Sequence, residues 1–235
     1  METVGWPIAR IRTRLLKTVL LGGAALAVSV LVSANFGHHA VQVAPVLSAL
    51  FARLVALFSW EFWPLSRLEY VFWQVRMPRI LLGAMVGGAL SLAGASLQGL
   101  LGNPLADPYL TGVSAGAAFG ATLAIALGLG GMAGGLGGAL LAFGGGLLTI
   151  LLVLKLARSR GKLSPDSFLL TGVVVGSFLW AAVTFLMTRV ARSDLQTVLY
   201  RLMGSLAGEA SWFTVFFSCA ITGLAAVGLT AMPGI

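Results

Sequence analysis

Charge is what this sequence has least of. Asp, Glu, Lys and Arg make up only 9% of its residues, against roughly 25% in a soluble domain. So few charges cannot cover a surface that faces water. Acids are the scarcer sign, with 7 Asp and Glu against 15 Lys and Arg, for a formal net charge of +8. Histidine occurs only as the neighbours His38 and His39, and cysteine only as Cys219. A lone cysteine forms no intrachain disulfide and no thiolate metal site. Two adjacent histidines with no third ligand nearby in sequence read as interfacial side chains rather than a metal centre. No metal and no other cofactor is expected.

These shortages exclude several chemistries. Gly112-Val113-Ser114-Ala115-Gly116 matches a nucleophile elbow, but that pattern needs His and acidic partners later in the chain. Both histidines lie upstream, so serine catalysis is not expected and the chain reads as a non-enzyme. The glycine-rich stretch from Gly128 to Gly146 lacks the Gly-Lys-Ser/Thr ending of a phosphate loop. No basic face with interleaved aromatics is present, so no nucleic-acid partner is expected. Ion-coupled transporters place ionisable groups in mid-membrane, whereas Asp107 and Asp166 fall at predicted helix ends. A channel or secondary transporter is therefore the weaker reading, and energy for uphill movement would come from a partner.

What is present is apolar: 58% of residues are hydrophobic, and the mean hydropathy is +0.98. No charged residue occurs from Ile80 to Ala106, Pro108 to Leu154, Ser167 to Thr188 or Ala210 to Ile235. About 20 apolar residues span a bilayer as a helix. The reading is a polytopic all-α membrane protein, one domain over 1–235, with about six transmembrane helices. They are expected at 18–34, 80–101, 109–127, 136–156, 168–188 and 211–231. The first could be a signal peptide, but Thr18–Ala34 exceeds a usual signal core, and a retained helix is expected. Gly128, Gly130, Gly131, Gly134 and Gly135 mark the turn between the third and fourth helices.

Short basic clusters orient the chain, because Lys and Arg concentrate on the cytoplasmic side. Arg10, Arg12, Arg14 and Lys17 precede the first helix, and Lys155, Arg158, Arg160 and Lys162 follow the fourth. Both agree with a cytoplasmic N-terminus in a bacterial inner membrane. The segments then predicted outside carry Arg53, Arg67, Arg76, Arg79, Arg189, Arg192 and Arg201, but no lysine. Arginine suits bidentate pairing with carboxylates; equally, arginines snorkel at lipid headgroups. Trp60, Phe62, Trp63, Tyr70, Phe72 and Trp73 read as an interfacial aromatic belt or a membrane-surface helix.

Glycines recur every four residues: Gly83 and Gly87, then Gly112, Gly116 and Gly120, then Gly172 and Gly176. That spacing puts them on one helix face and lets backbones approach. Tight static packing and rigid-body sliding of helices are both compatible with it.

Four stretches are not generic membrane sequence: Arg76-Met77-Pro78-Arg79, Gly94-Ala95-Ser96-Leu97-Gln98-Gly99, Asn103-Pro104-Leu105-Ala106-Asp107-Pro108-Tyr109-Leu110, and Gly112 to Ala117. With Leu169-Leu170-Thr171-Gly172 and Leu202-Met203-Gly204-Ser205-Leu206, they resemble the permeases of binding-protein-dependent ABC importers for siderophores, haem and cobalamin. The resemblance covers about residues 70–215. It implies a ten-helix permease fold, a dimer of two permease copies embedded in lipid, two cytoplasmic ATPase subunits and an extracytoplasmic substrate-binding protein. It implies an import subunit for an iron chelate, with haem or cobalamin as alternatives. By motif, Arg76 and Arg79 match the arginines that dock the binding protein. Asn103, Pro104, Leu105 and Asp107 match a cytoplasmic gate, and Ser164 matches a second constriction, although Pro165 departs from the pattern. The prolines stiffen the backbone, and Asn103 and Asp107 can satisfy backbone groups freed where a helix breaks. The same residues would also make a stiff capped turn without gating. The family continues past the sixth helix with an ATPase-coupling loop and four more spans, so the expectation is a fragment that does not transport unaided.

Overall fold

In a polytopic chain each backbone amide must find its partner within its own segment, because lipid offers none. The apolar runs accordingly fold as helices. The computed structural model describes residues 8–35, 70–129, 136–159, 162–204, 206 and 210–231. Helix α1 is Ile8–Asn35, a π-helical turn Phe72–Arg76 leads into α2 at Met77–Leu101, and a 3-10 turn Pro108–Thr111 precedes α3 at Val113–Ala126. Then come α4 at Leu136–Ala157, α5 at Pro165–Met187, α6 at Arg192–Leu202 and α7 at Trp212–Thr230. Between α4 and α5, Arg158–Ser159 and Lys162–Leu163 pair as a two-residue antiparallel hairpin.

Among the described residues, five helices are long and apolar enough to cross a membrane. The span expected over 109–127 divides into a 3-10 turn and the shorter apolar helix α3. Pro108 starts a tight 3-10 turn, and Gly112 at φ 77° redirects the chain before α3 can begin. The remaining 14 residues of α3 reach about 21 Å at 1.5 Å per residue, short of a hydrocarbon core of about 30 Å. Helix α6 was not expected from hydropathy, since Arg192, Asp194 and Arg201 interrupt any apolar run.

The chain divides into two compact units, 1–84 with 210–216, and 85–209 with 217–235. In the first, the indole Nε1 of Trp212 donates to the Trp73 carbonyl at 3.0 Å. Phe72 and Trp73 meet edge to face, with ring centroids 5.4 Å apart. Ser211 begins α7 by accepting from Thr214 N through its hydroxyl at 3.2 Å.

In the second unit α3, α4 and α5 pack on one another. A hydrophobic cluster joins Leu101, Ala106, Val153, Ala157, Phe168 and Val175. Thr122 and Thr149 are buried, and each hydroxyl donates to the carbonyl four residues back, Ala118 at 2.8 Å and Gly145 at 2.7 Å. Among the described residues of this unit no buried side-chain oxygen is left unsatisfied, which burial in an apolar bundle demands.

Candidate functional site

The loop between α2 and α3 is assembled from capped turns. After Leu101, Gly102 adopts φ 58°, a left-handed conformation that glycine takes without steric cost. Asn103 N then donates to the Gln98 carbonyl at 3.2 Å, and Ala106 N to the Asn103 carbonyl at 3.1 Å. The Asn103 Oδ1 accepts from Leu105 N at 2.9 Å, closing an Asx turn. Pro104 has no N–H to satisfy. Asp107 is extended (φ −124°, ψ 133°), and its Oδ1 accepts from Tyr109 N at 2.8 Å, capping the 3-10 turn that Pro108 opens. Thr111 Oγ1 donates to the Pro108 carbonyl at 2.6 Å.

This hydrogen bonding sends two neighbours in opposite directions. Ala106 is 2% exposed and belongs to the cluster with Ala157 and Phe168, whereas Leu105 is 80% exposed. A rigid turn thus holds one apolar side chain out and anchors itself by the next residue.

Ser164 stands at the start of α5. Its Oγ accepts from Ser167 N at 3.2 Å, and Pro165 occupies the first helical position, where a missing N–H costs nothing. Ser167 Oγ donates to the Ala157 carbonyl at 3.0 Å, tying the start of α5 to the end of α4. Because Phe168 and Ala106 share one cluster, Ser164 and the 103–107 loop belong to the same region of this unit.

The arginines are placed differently. Arg76 ends the π-helical turn and is partly buried, and Arg79 lies in the first turn of α2 and is exposed. They stand at the beginning of α2, and Asn103 follows its end. Phe72–Leu101 counts 30 residues, about 45 Å of helix at 1.5 Å per residue. Of the other predicted outer arginines, Arg189 holds its guanidinium 5.4 Å above the Phe185 ring, a cation–π geometry. Arg192 opens α6, and Arg201, in its last turn, lies against Gly138, where a Cβ would come within 2.7 Å of Nη1. Arg53, Arg67, His38, His39, Trp60, Phe62 and Trp63 lie outside the described residues.

The four-spaced glycines fall into two groups. A Cβ at Gly116 would overlap Thr149 Oγ1 and sit 2.6 Å from the Gly145 carbonyl; one at Gly120 would overlap the Leu141 carbonyl. A Cβ at Gly112 would approach the Gly172 carbonyl at 2.9 Å, and one at Gly172 would overlap the Leu110 carbonyl. A Cβ at Gly176 would lie 3.4 Å from the Gly112 Cα, an ordinary contact. Gly87 is exposed and Gly83 partly buried, and a Cβ at Gly87 meets nothing within 4 Å among the described residues. Sequence reasoning missed Gly138, Gly145 and Thr149, which face Arg201, the Gly116 carbonyl and Gly116 respectively. Their spacing of seven and then four marks one face of α4, a signal hidden by the adjacent Gly144 and Gly146.

The loop sequence, its capped geometry and the small-residue helix crossing coincide with a match across nearly the whole chain: residues 19–232 fit the FecCD transport family. The chain belongs to the FecCD transport family. Relatives include the vitamin B12 import system permease proteins BtuC of Salmonella paratyphi A (strain ATCC 9150 / SARB42) and Salmonella newport (strain SL254). Each is 38% identical over 178 residues, covering 72% of this chain and 54% of the relative. A solved structure described as an inward-facing conformation of a metal-chelate type ABC transporter superposes with a TM-score of 0.68 at 27% identity, covering 91% of this chain and 61% of that one. This FecCD chain therefore spans about half the length of the curated relatives it matches, and its helical architecture is that of an ABC permease.

Proposed function

We propose that this FecCD chain contributes to the membrane-spanning subunit of an ATP-driven importer in a bacterial inner membrane, moving a metal chelate inward by alternating access. The subunit has no catalytic step of its own; separate cytoplasmic ATPase subunits supply the energy, and two permease copies enclose the pathway. Arg76 and Arg79 receive carboxylates of an extracytoplasmic binding protein. Asn103, Pro104, Leu105 and Asp107 form the cytoplasmic gate, with Ser164 beside it, and the N-terminus is cytoplasmic. The packing glycines Gly112, Gly116, Gly120, Gly172 and Gly176 let the helices move as rigid bodies, and Gly83 and Gly87 on α2 would join them only where a second copy or another segment covers that face.

One observation carries the reading: the capped 103–107 turn holds Leu105 out at 80% exposure while its neighbour Ala106, at 2%, anchors the turn in the hydrophobic cluster. An iron-siderophore complex is the first cargo to consider. Cobalamin, itself a cobalt chelate, is the second, and the 38% identity to permeases named for vitamin B12 import favours it.

The test uses single cysteines at Arg79→Cys and Leu105→Cys, each in a Cys219→Ser background, in the complete permease reconstituted in sealed vesicles. A membrane-impermeant maleimide is expected to label position 79 only from the outside and position 105 only from the inside. Added binding protein should slow labelling at 79 by roughly tenfold, and ATP with the ATPase subunits should change the rate at 105. Labelling of both sites from one side would end the gate-and-dock account.

A further inference from the structure

The loop that carries Leu105 does not hold itself. Between Asn103 and Ala106 its N–H groups are served locally, by the Gln98 carbonyl, Asn103 Oδ1 and the Asn103 carbonyl. The two carbonyls that flank Leu105 point elsewhere. Gln98 Nε2 donates to the Pro104 carbonyl at 3.1 Å and to the Ala106 carbonyl at 3.4 Å. A primary amide has two N–H donors on one nitrogen, which matches two carbonyls in number. Gln98 thus grips the loop twice, with its backbone carbonyl where the loop begins and with its side-chain amide on both sides of Leu105.

We propose that Gln98 is a positioning residue, a clasp on the last turn of α2 that fixes the 103–107 loop and so sets where Leu105 points. Its consequence for transport rests on the gate reading above. The chemistry is selective. Asparagine is one methylene shorter and falls short of both carbonyls. Methionine has similar length and no donor. An ionised glutamate has only acceptors and would face two carbonyl oxygens, which disfavours its charged form. Protonated glutamate regains one O–H donor and can restore half of the clasp. Opening the loop also has a defined requirement: the Pro104 and Ala106 carbonyls must find water or another donor when they leave Nε2.

The experiment is hydrogen–deuterium exchange of the peptide spanning residues 99–109 in the full permease, with wild type run beside each variant at each pH to account for Asp107. Losing these two hydrogen bonds, one exposed and one partly buried, should speed loop exchange by about fivefold in Gln98→Met, and equally in Gln98→Glu at pH 8. At pH 5 Gln98→Glu should recover a measurable part of the lost protection, up to half of it, while Gln98→Met recovers none. Wild-type exchange in both variants would overturn the clasp, as would acceleration in both with no recovery at pH 5, which would assign Gln98 a packing role only. Should the clasp behave as expected while Leu105→Cys fails to label from the inside, the clasp stands and the gate reading falls.

Discussion

Helices α2 and α3 both carry glycine every four residues, yet the spacing has opposite outcomes in them. On α3, Gly116 and Gly120 meet backbone: Gly116 and Gly145 face each other's carbonyls, and Gly120 lies on Leu141. On α2, Gly87 and Gly88 meet nothing within 4 Å among the described residues. In lipid, helices gain no hydrophobic drive from associating, so close backbone approach and dispersion must supply the attraction. Spacing creates a face that permits such approach; whether a neighbour uses it depends on what the rest of the chain presents. On α4, Gly145 and Thr149 present a second small face to α3, and the α3–α4 contact follows.

The sharpest way to break the contrast is to fill one side of it. Gly120→Leu would drive a side chain into the Leu141 backbone, which cannot yield as a flexible side-chain tip can. The expected cost is about 3 kcal/mol or more, at the upper end of overpacking effects. It should appear as a large drop in the thermal midpoint of the detergent-solubilised protein, or as loss of a monodisperse peak in gel filtration. An unchanged midpoint would mean that α3 and α4 do not touch at this position.

How far this was readable in the residues differs from element to element. The apolar runs from Ile80, Leu136, Ser167 and Ser211 lie within α2, α4, α5 and α7 apart from a few end residues, because absence of charge over about 20 residues leaves lipid as the only favourable solvent. The side-chain chemistry of the Asn103–Asp107 turn was readable too, since Asn and Asp beside proline have few local options, and Oδ1 of each accepts the N–H two residues on. The length of α3 was not. Hydropathy does not register that Gly112 sits at φ 77°, so Tyr109, Leu110 and Thr111, assigned to a span, form part of a separate 3-10 turn. Helix α6 escaped for the converse reason: its charges suppress hydropathy, although Val198 is 1% exposed and belongs to the packed interior. Gln98 lay inside a recognised motif, but its reach to carbonyls six and eight residues away depends on how the loop folds back.

A smaller effect separates conformational strain from packing. Gly112 joins the 3-10 turn to α3 at φ 77° and approaches the Gly172 carbonyl. Alanine there incurs the left-handed penalty of about 1–2 kcal/mol and a short Cβ–carbonyl contact in addition. Gly112→Ala should therefore destabilise by about 2 kcal/mol, less than Gly120→Leu, in the same thermal assay. A neutral result would show that α3 can begin one turn earlier, which would bring it closer to the span expected from hydropathy.

The smallest effect has the opposite sign and probes the open side of the contrast. Gly87 is exposed within α2, and an added Cβ there contacts nothing among the described residues. Alanine removes backbone freedom from the unfolded chain and favours the helix by roughly 0.5–1 kcal/mol. Gly87→Ala should then raise the thermal midpoint slightly and leave the oligomeric state unchanged. A fall in the midpoint in the complete permease would show that another segment or a second copy lies against that face as closely as α4 lies against α3. The contrast between the two glycine patterns would then belong to the residues described and not to the assembled protein.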